Sequence, residues 1–134
     1  MKRSRQEWKK ILDSHQYEVM FAKATEAPFS GTLLHNKDDG TYVCAACGAE
    51  LFSSETKFDS GSGWPSFNNV INNQAVDLKE DNSLGLRRIE VSCRSCGGHL
   101  GHVFHDAPDQ PTGMRFCINS TALNFKPVKK TKKT

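Results

Sequence analysis

Five cysteines set the chemistry of this 134-residue chain. Cys44-Ala45-Ala46-Cys47-Gly48 and Cys93-Arg94-Ser95-Cys96-Gly97-Gly98 are two Cys-x2-Cys knuckles, each offering two sulfurs to one ion. Four thiolates match the tetrahedral preference of zinc, and four protein ligands leave no open position for chemistry, so a structural site is expected. Between Cys47 and Cys93 lie 45 residues, against about 15–20 in a compact zinc ribbon. The ion is therefore expected to pin two distant lobes together. The rival reading is a redox Cys-x-x-Cys, which usually opens a helix in a βαβ unit; no such pattern is present.

The fifth cysteine, Cys117, lies in Thr112-Gly113-Met114-Arg115-Phe116-Cys117-Ile118-Asn119-Ser120. A lone Cys is most often a small buried hydrophobe. On a strand, however, Phe116 and Ile118 face one side while Arg115, Cys117 and Asn119 face the other. The sulfur then shares a face with a cation and an amide, and a nearby guanidinium favours the nucleophilic thiolate. Parity alone leaves the inert and functional readings both standing.

Gly98-His99-Leu100-Gly101-His102-Val103-Phe104-His105-Asp106 holds three of the five histidines. His99 and His102 point to opposite faces of a regular strand, and a bend at Gly101 would bring both to one site. They read as acid–base groups beside a thiolate, as metal ligands, or as surface histidines. Four sulfurs already satisfy a zinc ion, which weakens the ligand reading. In Phe58-Asp59-Ser60-Gly61-Ser62-Gly63-Trp64-Pro65-Ser66-Phe67, a glycine-rich loop delivers Trp64 and Phe67. They form either a buried turn or an aromatic wall for an apolar or sulfur-bearing substrate.

The elements that must position these groups are short. Ser4-Arg5-Gln6-Glu7 has capping-box spacing, and Trp8, Ile11 and Leu12 recur as on an amphipathic helix. A second helical stretch is expected over His15–Ala22, broken by Ala27-Pro28-Phe29-Ser30-Gly31. Beyond Gly31 the pattern is antiparallel β. Thr32–His35 and Thr41–Val43 flank a turn; Leu51-Phe52, Val76–Lys79, Leu86–Ser92, Val103-Phe104 and Met114–Ile118 are further strands. The expected organisation is a helical segment over 1–27, a β domain with the zinc site over 28–125, and a basic, disordered tail over 126–134.

The net charge of +3 conceals an uneven distribution. Residues 1–10 carry +4 and residues 126–134 carry +5, leaving −6 for the rest. A nucleic-acid domain carries its basic residues on the folded face, so no nucleic-acid partner is expected. No apolar run approaches the ~18 residues of a membrane span, and no apolar stretch follows the basic N-terminus. A monomer without a membrane partner, in the reducing cytoplasm, is expected.

Five blocks in order carry a family resemblance: Pro28-Phe29-Ser30-Gly31, Cys44-x2-Cys47-Gly48, Gly61-x-Gly63-Trp64-Pro65-Ser66-Phe67, Cys93-x2-Cys96 running into Gly98-His99-Leu100-Gly101-His102-Val103-Phe104, and Arg115-Phe116-Cys117-Ile118-Asn119-Ser120. Together, over about three quarters of the chain, they resemble the B-type methionine sulfoxide reductases (MsrB). These are thiol-dependent oxidoreductases of protein repair under oxidative stress. One enzyme serves each sulfoxide epimer, here the R form, free or in proteins.

The resemblance implies a mainly β fold: two antiparallel sheets forming a barrel-like core, a structural zinc site (Cys44, Cys47, Cys93, Cys96) and a short helical N-terminal segment packed outside. It implies that Cys117 attacks the sulfoxide sulfur and becomes a sulfenic acid. His102 and His99 would handle and orient the proton. Asn119 and Arg115 would form the polar shell, and Asp106 would reach the substrate through water. Trp64, with Phe67 near it, would pack the substrate's ε-methyl group.

One position departs from the family pattern. Many members carry a resolving cysteine in the loop, and here that position is Ser62. Four cysteines are assigned to zinc and the fifth to the nucleophile, so a one-cysteine cycle is expected. An external thiol would then reduce the sulfenic acid: thioredoxin, glutaredoxin with glutathione, or a small thiol. A serine put in place of a native cysteine would read the same. The alternative from another class is a non-catalytic, zinc-stabilised β binding module, which rests on the basic tails.

Overall fold

The computed structural model describes residues 5–22, 24–82, 85 and 87–127. Among these, the α-helices are α1 (Arg5–Ile11) and α2 (Ser14–Phe21). The capping box expected at Ser4 lies outside the described residues. A box not foreseen starts α2. Asp13 Oδ1 accepts from the Gln16 amide at 2.8 Å, and the Gln16 side chain accepts from the Asp13 amide at 3.3 Å. Two amides that a helix start leaves unpaired are thereby satisfied. Trp8 of α1 stacks on Phe21 of α2 at 5.2 Å, and Val19 and Met20 are buried. The helices lie outside the sheets, yet their inner side chains belong to the core.

Nine strands follow among the described residues: β1 (Gly40–Cys44), β2 (Glu50–Ser53), β3 (Lys57–Phe58), β4 (Ser66–Phe67), β5 (Val76–Asp81), β6 (Arg88–Cys93), β7 (His99–Phe104), β8 (Arg115–Ile118) and β9 (Leu123–Pro127). They form two antiparallel sheets, ordered β2-β1-β9 and β3-β4-β8-β7-β6-β5. The expected pair of antiparallel sheets is present with both sheets open: among the described residues neither closes on itself or joins the other. Strands β3 and β4 pair over only two residues, too short a ladder to carry hydrogen bonding round a corner.

Aromatic rings fill the space between the sheets. Phe52 of β2 stacks on Phe67 of β4 with centroids 4.3 Å apart, and Tyr42 of β1 meets Phe67 edge-on at 5.0 Å. Burying each such side chain contributes about 2–3 kcal/mol. These contacts hold β4 against β2 and thereby fix the loop that precedes β4.

Two local expectations are overturned. Thr32–His35 is not a strand but a pair of turns, closed by Leu34 N–H to Gly31 O and Asn36 N–H to Leu33 O. A side chain takes one of its backbone donors, the Leu33 amide donating to Ser120 Oγ at 2.9 Å, and Asn36 Nδ2 fixes the following residue by donating to Tyr42 Oη at 2.9 Å. Strand β1 instead pairs with β2 and β9. The folded chain also runs past the expected boundary at Phe125, because Lys126 and Pro127 pair with Thr41 and Gly40. The remainder of the expected tail, 128–134, lies outside the described residues.

Candidate active site

The two knuckles are the turns of equivalent hairpins, one from each sheet. In the β1–β2 turn the Gly48 amide donates to Cys44 O, and in the β6–β7 turn the Gly97 amide donates to Cys93 O. Gly48 and Gly97 sit at φ +80° and +79°, a conformation that glycine adopts without steric cost. Their amides close the turns onto carbonyls. The four sulfurs lie within 4.8 Å of one another, with Cys44–Cys96 at 3.7 Å and Cys47–Cys93 at 3.6 Å. Four sulfurs bonded 2.3 Å from a tetrahedral ion would stand about 3.8 Å apart, so the donor set fits one.

Electrostatics within the cluster point the same way. Contact between Cys44 and Cys93 pushes Cys44 up and holds Cys93 down. Adjacent thiols share protons in this way until a cation allows all of them to ionise.

Around Cys117, one cross-strand row organises the second centre. Lys79 of β5 lies opposite Glu90 of β6, which lies opposite His102 of β7. His102 lies opposite Cys117 of β8, which lies opposite Ser66 of β4. Opposite residues on an antiparallel pair share a face, so the register brings imidazole and thiol together. The expected parity holds on β8: Phe116 and Ile118 are buried in the core, while Arg115 and Cys117 are half-buried on the other face.

Arg115 Nη1 donates to Cys117 Sγ at 2.6 Å. The guanidinium is held by Asp106 through two bonds of 2.9 Å, Nε to Oδ1 and Nη2 to Oδ2, and it lies over the Phe104 ring at 4.5 Å. Hydrogen bonding to Asp106 raises Arg115 above its ordinary value, and the charge of Cys117 adds to this. In turn Arg115 holds Asp106 below the usual carboxylate range. Asp106 does not line the pocket at Cys117; it lines a neighbouring cavity and holds Arg115, which lines both.

Hydroxyls cover the other side of the sulfur. Ser62 Oγ stands 3.5 Å and Ser66 Oγ 3.7 Å from Cys117 Sγ. Ser60 Oγ donates to Ser62 at 2.8 Å and also contacts Ser66 Oγ at 2.7 Å. The position of Ser62 is thus within direct reach of the thiol.

The expected bend at Gly101 takes the form of a β-bulge. Gly101 pairs with Val91 and His99 with Ser92, leaving Leu100 as the extra residue. The slip turns His99 and His102 toward each other, with rings 5.4 Å apart. Gly101 serves close approach instead: a Cβ there would stand 2.0 Å from the Cys117 carbonyl oxygen. The two histidines differ in setting. His99 is buried, with Nδ1 2.7 Å from Glu90 Oε2; His102 lines the pocket, with Nε2 2.7 Å from Asp81 Oδ2.

The pocket measures about 270 Å³ and is lined by Thr25, Ser62, Trp64, Arg88, Gly101, His102, Phe104, Arg115, Cys117 and Asn119. Trp64 forms one wall, and its indole N–H donates to Glu26 O at 3.0 Å. Asn119 reaches the pocket with its amide already tied, Nδ2 donating to Leu100 O and Oδ1 accepting from the Glu26 amide. Phe67, expected in the aromatic wall, is fully buried between the sheets. Strand alternation from Ser66 points its ring into the core, away from the pocket.

Sequence reasoning missed Glu26, Asp81, Arg88 and Glu90. Glu26 is buried and accepts from the amides of Ser120 and Thr121 at 2.8 and 3.0 Å. It thereby ties Trp64, Asn119 and the turn after Cys117 to one residue. As a single carboxylate in irregular chain it carries no periodic signal. Arg88 and Glu90 do carry one, being two apart on a strand and so on one face.

Known proteins share this sequence over most of its length. A family model described as the SelR domain matches residues 12–127. The chain is 60% identical over 126 residues to the peptide methionine sulfoxide reductase MsrB of Methanosarcina barkeri, covering 94% of this chain and 88% of the relative. It is 55% identical to the MsrB of Leptospira interrogans, covering 92% and 93%. It is 53% identical to the mitochondrial methionine-R-sulfoxide reductase B3 of Mus musculus, covering 93% of this chain and 49% of the relative.

Proposed function

The chain belongs to the MsrB family, and on that footing we propose that it reduces methionine-R-sulfoxide, free or within proteins, to methionine through a sulfenic acid on Cys117. The observation that carries this reading is the Arg115 guanidinium 2.6 Å from Cys117 Sγ, in a pocket walled by Trp64 and His102. Arg115 sets a positive charge beside the sulfur. Trp64 and Phe104 offer ring faces to a methyl and a sulfur. His102 lies opposite Cys117 on the neighbouring strand.

The Cys117 thiolate attacks the sulfoxide sulfur while His102, as imidazolium, gives a proton to the oxygen. The S–O bond breaks, the oxygen passes to Cys117 as sulfenic acid, and methionine leaves. The balance is sulfoxide plus thiol to thioether plus sulfenic acid, a two-electron reduction of the substrate. With Ser62 beside Cys117, no resolving thiol stands in the loop. An external thiol attacks the sulfenic acid, releasing water and forming a mixed disulfide. A second thiol then frees Cys117. Thioredoxin, glutaredoxin with glutathione, or a small thiol has the required chemistry.

Zinc is the metal that four such sulfurs suit. Held by Cys44, Cys47, Cys93 and Cys96, it would supply cross-linking charge and no reactive position.

Turnover with both epimers and dithiothreitol tests the reading. R-selective reduction, abolished by Cys117→Ser, is expected, and equal activity on both epimers would refute it. After one turnover without reductant, dimedone should label Cys117; an internal disulfide would overturn the one-cysteine cycle.

A further inference from the structure

We infer that Asp81 is a positioning residue for this reaction: it fixes the tautomer of His102, so that Nδ1 is the ring nitrogen able to exchange a proton with substrate. The inference rests on the proposed sulfoxide chemistry and extends it to a residue outside every motif that points to the site.

The geometry carries it. Asp81 is the last residue of β5, on the edge of the six-stranded sheet, two strands away from β7. Its Oδ2 stands 2.7 Å from His102 Nε2. Arg88, opposite Asp81 in the β5–β6 register, places Nη2 3.6 Å from the same oxygen. Both partners are shielded, with side chains 14% and 19% exposed for His102 and Asp81. An ionised carboxylate only accepts hydrogen bonds, and Arg88 favours that ionised form. Nε2 therefore carries the proton in the neutral ring. Nδ1 then holds a lone pair when His102 is neutral, and an N–H when it is imidazolium. Among the described residues Nδ1 has no hydrogen-bond partner, which leaves it for a ligand.

Other charged or titratable groups face the ring. Glu90 lies opposite on β6, His99 meets the ring edge within β7, and Cys117 lies opposite on β8. The carboxylate of Glu90 bonds His99 Nδ1 at 2.7 Å. Each histidine thus has its own carboxylate, through opposite ring nitrogens. Only His102 lines the pocket, so the Asp81 pair governs the proton that reaches the oxygen. A carboxylate held behind an imidazole sets both its tautomer and its orientation.

The test uses the full, zinc-loaded chain. Ring 15N shifts of His102 are measured near pH 8 in the wild type and in Asp81→Asn. The wild type should show one neutral tautomer with hydrogen on Nε2. Hydrogen on Nδ1 would overturn the inference, whatever the variant does. An asparagine can donate as well as accept, so Asp81→Asn should lose the single tautomer. Its kcat should fall about a hundredfold with KM within about twofold. A kcat within twofold of wild type would also overturn the inference. If the wild type reduces no methionine sulfoxide, the functional reading fails, while the ring shifts still decide the role of Asp81.

Discussion

At the scale of the residue, the proposed reactive centre is a sulfur between a cation and two hydroxyls. Arg115 reaches Cys117 at 2.6 Å, and Ser62 and Ser66 close the opposite side. Arg115→Met removes the charge while keeping much of the side chain's volume. Iodoacetamide labelling of Cys117 at pH 7 is expected to slow about tenfold, with no change in zinc content. Labelling at the wild-type rate would show that the guanidinium does not activate the sulfur. Asp106 supplies a pH-dependent prediction. Its folded value is lowered by Arg115. The pair's contribution to stability is therefore full above the ordinary aspartate value of about 3.9 and is lost as pH falls through the lower folded value. Urea midpoints of wild type and Asp106→Asn should differ at pH 7 and converge toward pH 3. A gap that stays constant would contradict the assigned coupling. The gap should be small, since the Asp106 side chain is 55% exposed and exposed pairs are screened.

The proposed active centre is assembled at the scale of the element, by register. The β7–β8 pairing sets His102 opposite Cys117, and the bulge at Leu100 brings His99 round behind His102. Bulges re-aim side chains beside active sites. Gly101 makes the pairing possible, since a Cβ there would meet the Cys117 carbonyl oxygen at 2.0 Å and Ile118 Cα at 2.9 Å. Both obstacles are backbone atoms, so relief requires moving β8. Gly101→Ala is expected to cost about 1–3 kcal/mol of stability, read as a lowered urea midpoint, and to depress turnover more than labelling of Cys117. Wild-type stability and turnover together would sink this account of the glycine.

On the scale of the whole molecule, the two open sheets are joined by an aromatic interface and by the four-sulfur cluster. The cluster gathers the β1–β2 turn of one sheet and the β6–β7 turn of the other. Strand β6 carries Arg88 and Glu90 as well as Cys93, so the four-sulfur cluster and the surroundings of the Cys117 pocket share a strand. Removal of the metal by a strong chelator should therefore unfold the domain as well as stop turnover. Circular dichroism melts before and after metal loss provide the measurement. An unchanged melt after metal loss is verified would show that the cluster is dispensable for the fold.

Much of this arrangement was determined by residue type and spacing alone. Two Cys-x2-Cys knuckles with following glycines imply a shared ion, and strand parity places Arg115 and Cys117 together, because both signals are local. The mainly β class and the two N-terminal helices follow from periodicity for the same reason. What only the tertiary structure decided depends on register and on pairing over long sequence distances. The bulge at Leu100, the burial of Phe67, the openness of both sheets and the pairing of Lys126 with Thr41 leave no periodic trace. The same holds for the carboxylate behind His102. Asp81 lies 21 residues before His102, and only the stacking of three strands brings the two within a hydrogen bond. A sequence records which groups are available for proton transfer, whereas the hydrogen-bond ladder determines which of them meet.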